Sequence, residues 1–272
     1  MLARTVTLDA RDGEPWRIYP ISDAHIGDVC CDEAGLQAYI DTIRRDEHGR
    51  CVITGDLVSA IGKGDKRLDL SSLAEWVLDA RPRVQQDILG VQAVRAVEWL
   101  RPIADRIDGL VAGNHETKPR SWYGRDVMAE IAKELGISPA YLGSQGWLTY
   151  SLTLTTTQRR LLTLYLHHGT SSGRKVGGQA AQLEEMLLDH DCDIAICGHS
   201  HRTFAHPVPQ VRRDGKTGKL LPRHRWGILA GTWQRTPDAG DLWQDERRLR
   251  PAHLGGVVIE YNPATAATTI TL

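Results

Sequence analysis

Short apolar runs recur along the chain, and five of them end on a block of polar residues. Trp16 to Ile21, Cys51 to Thr54, Gly109 to Ala112, Leu161 to Leu166 and Ile194 to Cys197 read as buried strands. Directly behind them stand Asp23, Ala24, His25; Gly55, Asp56; Gly113, Asn114, His115, Glu116; His167, His168, Gly169; and Gly198, His199, Ser200, His201. A residue that follows a strand lies at its C-terminal end, where open α/β sheets collect their sites. Five strand ends can therefore bring Asp, His and Asn side chains into one cleft.

Between these runs the period changes. Leu36, Ile40 and Ile43 have helical spacing, which predicts a helix over residues 32–45 with Asp32 as its N-cap. Further helices are expected near Leu70 to Ala80 and from Val84 to Ile107, where Pro102 would kink or end the last turn. Two more are expected from Tyr123 to Gly136, closed by Gly136, and from Gln179 to Leu188. Residues 2–8 alternate as an edge strand, Trp147 to Leu154 pairs with Leu161 to Leu166, and Val257 to Tyr261 and the Thr-rich end supply closing strands. No linker, repeat or low-complexity tract divides the chain, so residues 1–272 form a single α/β domain in this reading.

With 272 residues and 41% hydrophobic content the chain can bury a large core. A net charge of −1 gives no global case for nucleic acid or membrane. No apolar run approaches the roughly 20 residues needed to span a bilayer, and Met1 to Val6 lacks a secretory apolar region. Cys30, Cys31, Cys51, Cys192 and Cys197 are an odd set without metal-knuckle spacing, which fits reduced thiols in a cytoplasm. Residues 202–235 differ from the whole: Arg202, Arg212, Arg213, Lys216, Lys219, Arg223, Arg225 and Arg235 face a single acidic residue, Asp214. A basic rim for nucleic acid and a solvated basic hairpin both fit that segment. Trp226, Trp233 and Trp243 could stack on bases, although Trp226 sits inside an apolar alternation and suits the core.

The blocks carry chemistry together. On an extended backbone Asp23 and His25 would point to one side, as would His199 and His201. Asp56 follows the small Gly55, and its two oxygens can bridge two cations. Asn114 offers a neutral ligand oxygen and sets His115 beside the ion as a general acid. Of the two adjacent histidines only one can face the cleft; His168, next to Gly169, is the choice, and His167 is structural. Arg120, one turn beyond the acid, can sit near an anionic substrate, and Arg202 opens the basic segment. Arg174 and Lys175 lie in a small-residue loop that opens a helix; a lid over phosphate and a plain loop both remain open. The basic loop Ile61 to Arg67 lacks the Ser or Thr of a P-loop and reads as a loop near substrate. Asp23, His25, Asp56, Asn114, His168, His199 and His201 are too many ligands for one ordinary transition ion. They suit two divalent ions sharing Asp56. The mixed donors favour Mn, then Fe, Zn, Ni or Co, over Ca or Mg. Two such ions clamp a phosphoryl group.

In this order the five blocks resemble the calcineurin-like metallophosphoesterase superfamily over about residues 16–204. That resemblance implies two packed, mixed β-sheets flanked by helices. It implies one metal on Asp23, His25 and His201, the other on Asn114, His168 and His199, Asp56 bridging, His115 as the acid on the leaving group and Glu116 orienting it. Gly55 to Ser59 lacks the continuation typical of protein Ser/Thr phosphatases, and His115 stands where lipid A precursor hydrolases have Arg. Asp23 to Gly27 is similar to the block of DNA repair nucleases such as SbcD, and the Gly-rich loop is similar to compact phage-borne members. The expectation is a phosphodiesterase on nucleic acid or nucleotides, with no membrane partner. A phosphomonoesterase on a small metabolite, or a metal-binding scaffold without turnover, are the alternatives.

Overall fold

The computed structural model describes residues 2–60, 70–170, 175–215, 217–235 and 252–272, with the side chains of residues 81–86 left aside. The apolar runs form strands as expected. The first sheet holds β2 (Trp16–Ile21), β3 (Gly49–Ile53) and β4 (Ile107–Leu110) in parallel, and β11 (Val258–Asn262) and β12 (Ala267–Thr271) continue it antiparallel on the β2 side. The second follows the order β1 (Leu2–Asp9), β5 (Gln145–Thr153), β6 (Arg159–His167), β7 (Ile194–Cys197), β9 (Leu220–Thr232), β10 (Gly255–Gly256), with β8 (Thr203–Arg213) also paired to β9. Both sheets are mixed, and β6, β7 and β9 run parallel.

Strand alternation builds three layers of core. Ile18, Val52, Leu164, Leu166, Ile194, Ile196 and Ile228 turn inward and pack the two sheets together. Their neighbours Tyr19, Ile21, Cys51 and Ile53 face outward and receive Leu36, Ile40 and Ile43 of α1 (Glu33–Arg45), with residues of α3 (Arg81–Leu100) and α5 (Val127–Glu134). On the far side, Cys197 and Leu229 pack on Leu183 of α6 (Val176–Asp189), while Tyr165 and Ala195 pack on its Leu187. Period-two strands with both faces covered explain why the runs are continuously apolar. Among the described residues no helix is long and apolar enough to cross a membrane.

Several expected boundaries shift for identifiable reasons. Asp32 precedes α1, but its side chain makes no capping bond. The helix expected near Leu70 to Ala80 is a 3₁₀ turn at Leu70–Ser72 followed by α2 (Glu75–Asp79). The helix expected to reach Ile107 stops at Leu100; Pro102 falls in a 3₁₀ turn over Arg101–Arg106, which delivers the chain to β4 two residues early. Asn114 opens an unforeseen helix, α4 (Asn114–Tyr123), which Gly124 ends in the left-handed region at φ 66°. Asp126 then caps α5 by accepting from Ala129 N–H at 3.0 Å. The loop 61–67 and Trp243 lie outside the described residues.

The basic segment forms the β8–β9 hairpin, and part of its charge is spent inside the fold. Arg225 is 4% exposed and donates to the carbonyls of Cys192 and His190; Arg223 pairs with Asp191 and Asp193. Arg235 donates to the Cys31 carbonyl. Arg212, Arg213 and Lys219 are exposed near the hairpin tip, nine or more residues of strand from Thr203, or roughly 30 Å at about 3.3 Å per residue. They line the hairpin's far end and not the rim of the cleft.

At the opposite end of the first sheet, Asp46 accepts from the Arg17 guanidinium and from Tyr19 Oη at 2.7 Å. Burial works to raise its carboxyl, but the Arg17 hydrogen bond and its charge outweigh that and hold it below the ordinary carboxylate value. Its contribution is therefore present above the unfolded value of about 3.9 and is lost as pH falls through the folded one. Asp46→Asn should lower stability by about 1–2 kcal/mol at pH 7 and flatten the loss of stability between pH 5 and 3. Urea denaturation across that range checks it, and parallel curves for both proteins would contradict it.

Candidate metal centre

Each of the five blocks sits where a strand runs out, and both sheets contribute. β2, β3 and β4 deliver Asp23 and His25, Asp56, and Asn114; β6 and β7 deliver His168, and His199 with His201. Because β2 to β4 are parallel to one another and β6 is parallel to β7, these ends gather at one edge of the sandwich.

Their side chains converge in two groups. Asp23 Oδ1 stands 3.2 Å from His201 Nε2, which is 3.3 Å from His25 Nε2. Asn114 Oδ1 stands 3.0 Å from His168 Nε2 and 2.9 Å from His199 Nδ1, and those two nitrogens are 3.3 Å apart. Asp56 joins both: Oδ2 lies 3.2 Å from His168 Nε2, and the carboxylate also shares a 4.8 Å cluster of ligand atoms with His25 and His115. All seven expected ligands are thus brought together.

The donor set fits metal ions. Ligands at about 2.1 Å from a transition ion stand roughly 3.0–3.4 Å apart along the edges of an octahedron or tetrahedron. The observed separations fall on that scale. Imidazole nitrogens facing each other at 3.3 Å need a shared proton or a cation between them. Each carboxylate also keeps one oxygen for the cluster. Asp23 Oδ2 accepts from Ser22 Oγ at 2.6 Å and from His199 N–H at 2.8 Å, leaving Oδ1 buried without a hydrogen bond. Asp56 Oδ1 accepts from His115 N–H at 2.9 Å, which leaves Oδ2 facing the cluster. Such outer partners are what orient metal-binding carboxylates.

Backbone carbonyls set two of the rings. A carbonyl can only accept, so His168 donates through Nδ1 to Thr54 at 2.8 Å and His115 donates through Nδ1 to Ser59 at 2.6 Å. In both rings Nε2 is the atom turned to the cluster. His115 Nε2 is 3.9 Å from Asp56 Oδ2, and its ring stands edge-on to His25 at 4.7 Å between centroids. His167, in contrast, accepts from Gly169 N–H and stacks on Tyr165.

The chain reaches this geometry through strain and not through extended alternation. Asp23 and His25 have φ of 48°, Asp56 49°, His199 66° and His201 53°, all in the left-handed region that non-glycine residues avoid. Tight turns, not a pleat, aim these pairs inward. Glycines give them room: a Cβ on Gly113 would strike Asp56 Oδ1, and one on Gly198 would strike Ser22 Oγ and Asp23 Oδ2.

Glu116 does something the sequence did not suggest. Its carboxylate, 1% exposed, accepts from the backbone N–H of Gly113 at 2.8 Å, Asp56 at 3.0 Å and Val58 at 3.1 Å. It binds the β3 loop to the start of α4, and the Ser59 carbonyl is the acceptor that orients His115. Burial, and then the charge of Asp56, push Glu116 up to about 7. Thr232 Oγ1 and Trp233 N–H, also unforeseen, both donate to the Asp23 carbonyl. Only the Thr at the end of the β9 run hinted at them.

The expected substrate cations are less well placed. Arg120 is half-exposed in the last turn of α4 and pairs with Asp126 at 3.6 Å. Lys175 is exposed at the start of α6, and Arg174 lies outside the described residues. Arg202 follows His201 directly and its carbonyl accepts from Gly231 N–H.

The family model described as calcineurin-like phosphoesterase matches residues 21–203. No curated protein sequence matches the chain. Similar solved structures include a metallophosphoesterase from Sphaerobacter thermophilus, at 16% identity over 94% of this chain and 87% of that one, TM-score 0.41. They also include Vps29 of Entamoeba histolytica complexed with zinc, at 12% identity over 94% of this chain and 97% of that one, TM-score 0.39. A third is NAD nucleotidase of Haemophilus influenzae, at 10% identity over 95% of this chain and 49% of that one, TM-score 0.42. At such distances nothing about substrate follows from them.

Replacing Glu116 by Gln keeps its shape but turns an amide donor toward backbone donors. Glu116→Gln should cost about 1–3 kcal/mol of stability, read as a lower thermal midpoint. An unchanged midpoint would mean that the three amides are satisfied elsewhere.

Proposed function

The chain belongs to the calcineurin-like phosphoesterase family, and from that premise we propose that it hydrolyses phosphodiesters of nucleic acid or nucleotides with two divalent transition ions, Mn first among them. The observation that carries the reading is the pair of donor groups meeting at Asp56, with imidazole nitrogens and carboxylate oxygens on coordination-edge spacing. Asp23, His25 and His201 would hold one ion, Asn114, His168 and His199 the other, and Asp56 both. Bound there, such ions supply Lewis acidity toward a phosphoryl oxygen and lower the pKa of water.

The chain's own residues do the rest. His115 holds a proton at Nε2 and delivers it to the leaving oxygen, while its Nδ1–H stays on the Ser59 carbonyl. Imidazole suits this because it titrates near neutrality. Glu116 and the first turn of α4 hold Asp56 in register for both ions. Support for a nucleic-acid ester comes from the exposed Arg212, Arg213 and Lys219 on a hairpin that starts beside His201, a source of long-range attraction for a polyanion. All five cysteines are buried thiols outside any disulfide, which supports a reducing compartment such as the cytoplasm.

Metal-stripped protein refilled with Mn should hydrolyse bis-p-nitrophenyl phosphate faster than p-nitrophenyl phosphate, and should cleave single-stranded DNA or RNA less well as salt rises. The reverse preference, with nucleic acid untouched, would move the assignment to a small-metabolite phosphomonoesterase. His115→Ala should keep both ions and lose about 10²- to 10⁴-fold in turnover on poor leaving groups; full activity on a native diester would remove the acid role. Asp56→Asn should weaken both ions together, and an unchanged metal content by elemental analysis would refute its sharing.

A further inference from the structure

The helix that opens at Asn114 and His115 ends on two exposed aromatic residues, Trp122 at 52% and Tyr123 at 51% exposure. Their rings meet edge to face at 6.3 Å and 90°, so the phenol braces the indole and leaves it standing on the surface. Burial divides α4 into two sides. Glu116 and Pro119 are buried, while His115 and Lys118 are partly exposed and Trp122 is open. The spacing of His115, Lys118 and Trp122 is i, i+3, i+7, which places the three along one face. Seven residues of helix advance about 10 Å, a distance that about three phosphates of stacked strand cover at 3.4 Å each, and fewer when it is extended.

We infer that Trp122, with Lys118 between it and the donor cluster, is a nucleobase-stacking platform for a base adjoining the phosphate held at that cluster. The inference rests on the phosphodiester reading above and narrows it to substrates that carry bases. Three features select this occupant. The stripe is continuous with His115, so a strand leaving the cluster along α4 meets it. Lys118 matches the charge of a phosphodiester. An indole offers a flat face that any base can use.

The test compares two phosphorothioate-linked, fluorescein-labelled strands of equal length, one an oligodeoxyadenylate and one abasic, binding to the Mn-loaded protein by anisotropy. Wild type should prefer the base-bearing strand about tenfold, the effect of a single base–aromatic stack. Trp122→Ala should abolish that preference by weakening only the base-bearing strand, and Trp122→Phe should keep most of it. Equal binding of both strands by wild type, a preference that survives in Trp122→Ala, or equal weakening of both strands would each overturn the platform. Hydrolysis of bis-p-nitrophenyl phosphate is followed in parallel. Its absence in wild type would overturn the phosphoesterase reading by itself, and the binding comparison would still decide the platform.

Discussion

A reciprocal exchange of hydrogen bonds between the β3 loop and the start of α4 holds the centre together. Asp56 gives its backbone N–H to Glu116 and takes the His115 N–H on its own carboxylate, so each segment anchors the other. Both acids are buried, at 2% and 1% exposure. Burying two carboxylates side by side is costly, and the two are resolved in opposite directions. Burial also acts to raise Asp56, but the neighbouring His115 and His168 outweigh it and hold the carboxyl below its ordinary value; for Glu116, burial and the charge of Asp56 outweigh the amide donors, which act to lower it, and the group rises. The cationic side of the pocket thus belongs to Asp56, and the amide side to Glu116. That division lets Asp56 present one oxygen to the cluster without loosening its loop.

The same economy explains the strained backbone. Five of the seven candidate ligands occupy the left-handed region, at a cost of order 1–3 kcal/mol each. Such conformations persist only where surrounding bonds over-determine them. Asp23 shows how: its N–H goes to the Gly55 carbonyl, its carbonyl accepts from Thr232 and Trp233, and its carboxylate accepts from Ser22 and His199. No freedom is left for the side chain to turn away from the cluster. Binding of an ion would add to this restraint, since Asp23 Oδ1, buried without a hydrogen bond, would then gain a partner.

Much of this was legible in the chain, and the limits have physical causes. Apolar runs of four to six residues mark strands because both faces of each sheet are covered. The blocks behind them mark the site because chain order places them at strand ends. The alternation of Asp23 with His25 pointed to the right ligands for a different geometric reason: the two side chains converge through a turn with positive φ. For Glu116 the resemblance implied a role in orienting His115, but its hold on the β3 loop could not be foreseen, because its partners there are backbone amides, which leave no mark on sequence. α4 escaped notice because its buried face consists of Glu116 and Pro119, not of the apolar residues that periodicity detects. The basic segment misled in one respect, since net charge counts Arg223, Arg225 and Arg235, whose guanidinium groups are engaged by the protein itself.

Neither sheet carries a complete site. The first supplies Asp23, His25, Asp56 and Asn114; the second supplies His168, His199 and His201. Every proposed ion would have ligands from both, so the distance between sheets is a determinant of the centre. That distance is set remotely, by the packing of Ile18, Val52, Leu164, Leu166, Ile194 and Ile196 in the inner layer. Close-packed interiors transmit changes of volume instead of absorbing them. Direct ties cross the gap at the site itself, among them His168 Nδ1–H to the Thr54 carbonyl, His199 N–H to Asp23 Oδ2 and Thr232 Oγ1–H to the Asp23 carbonyl. These fix the edge of the sandwich where the side chains meet, while the inner layer fixes the angle at which the strands arrive. Fold and chemistry are therefore joined by one requirement: the sheets must stack in register before any pair of donors can come within coordination distance.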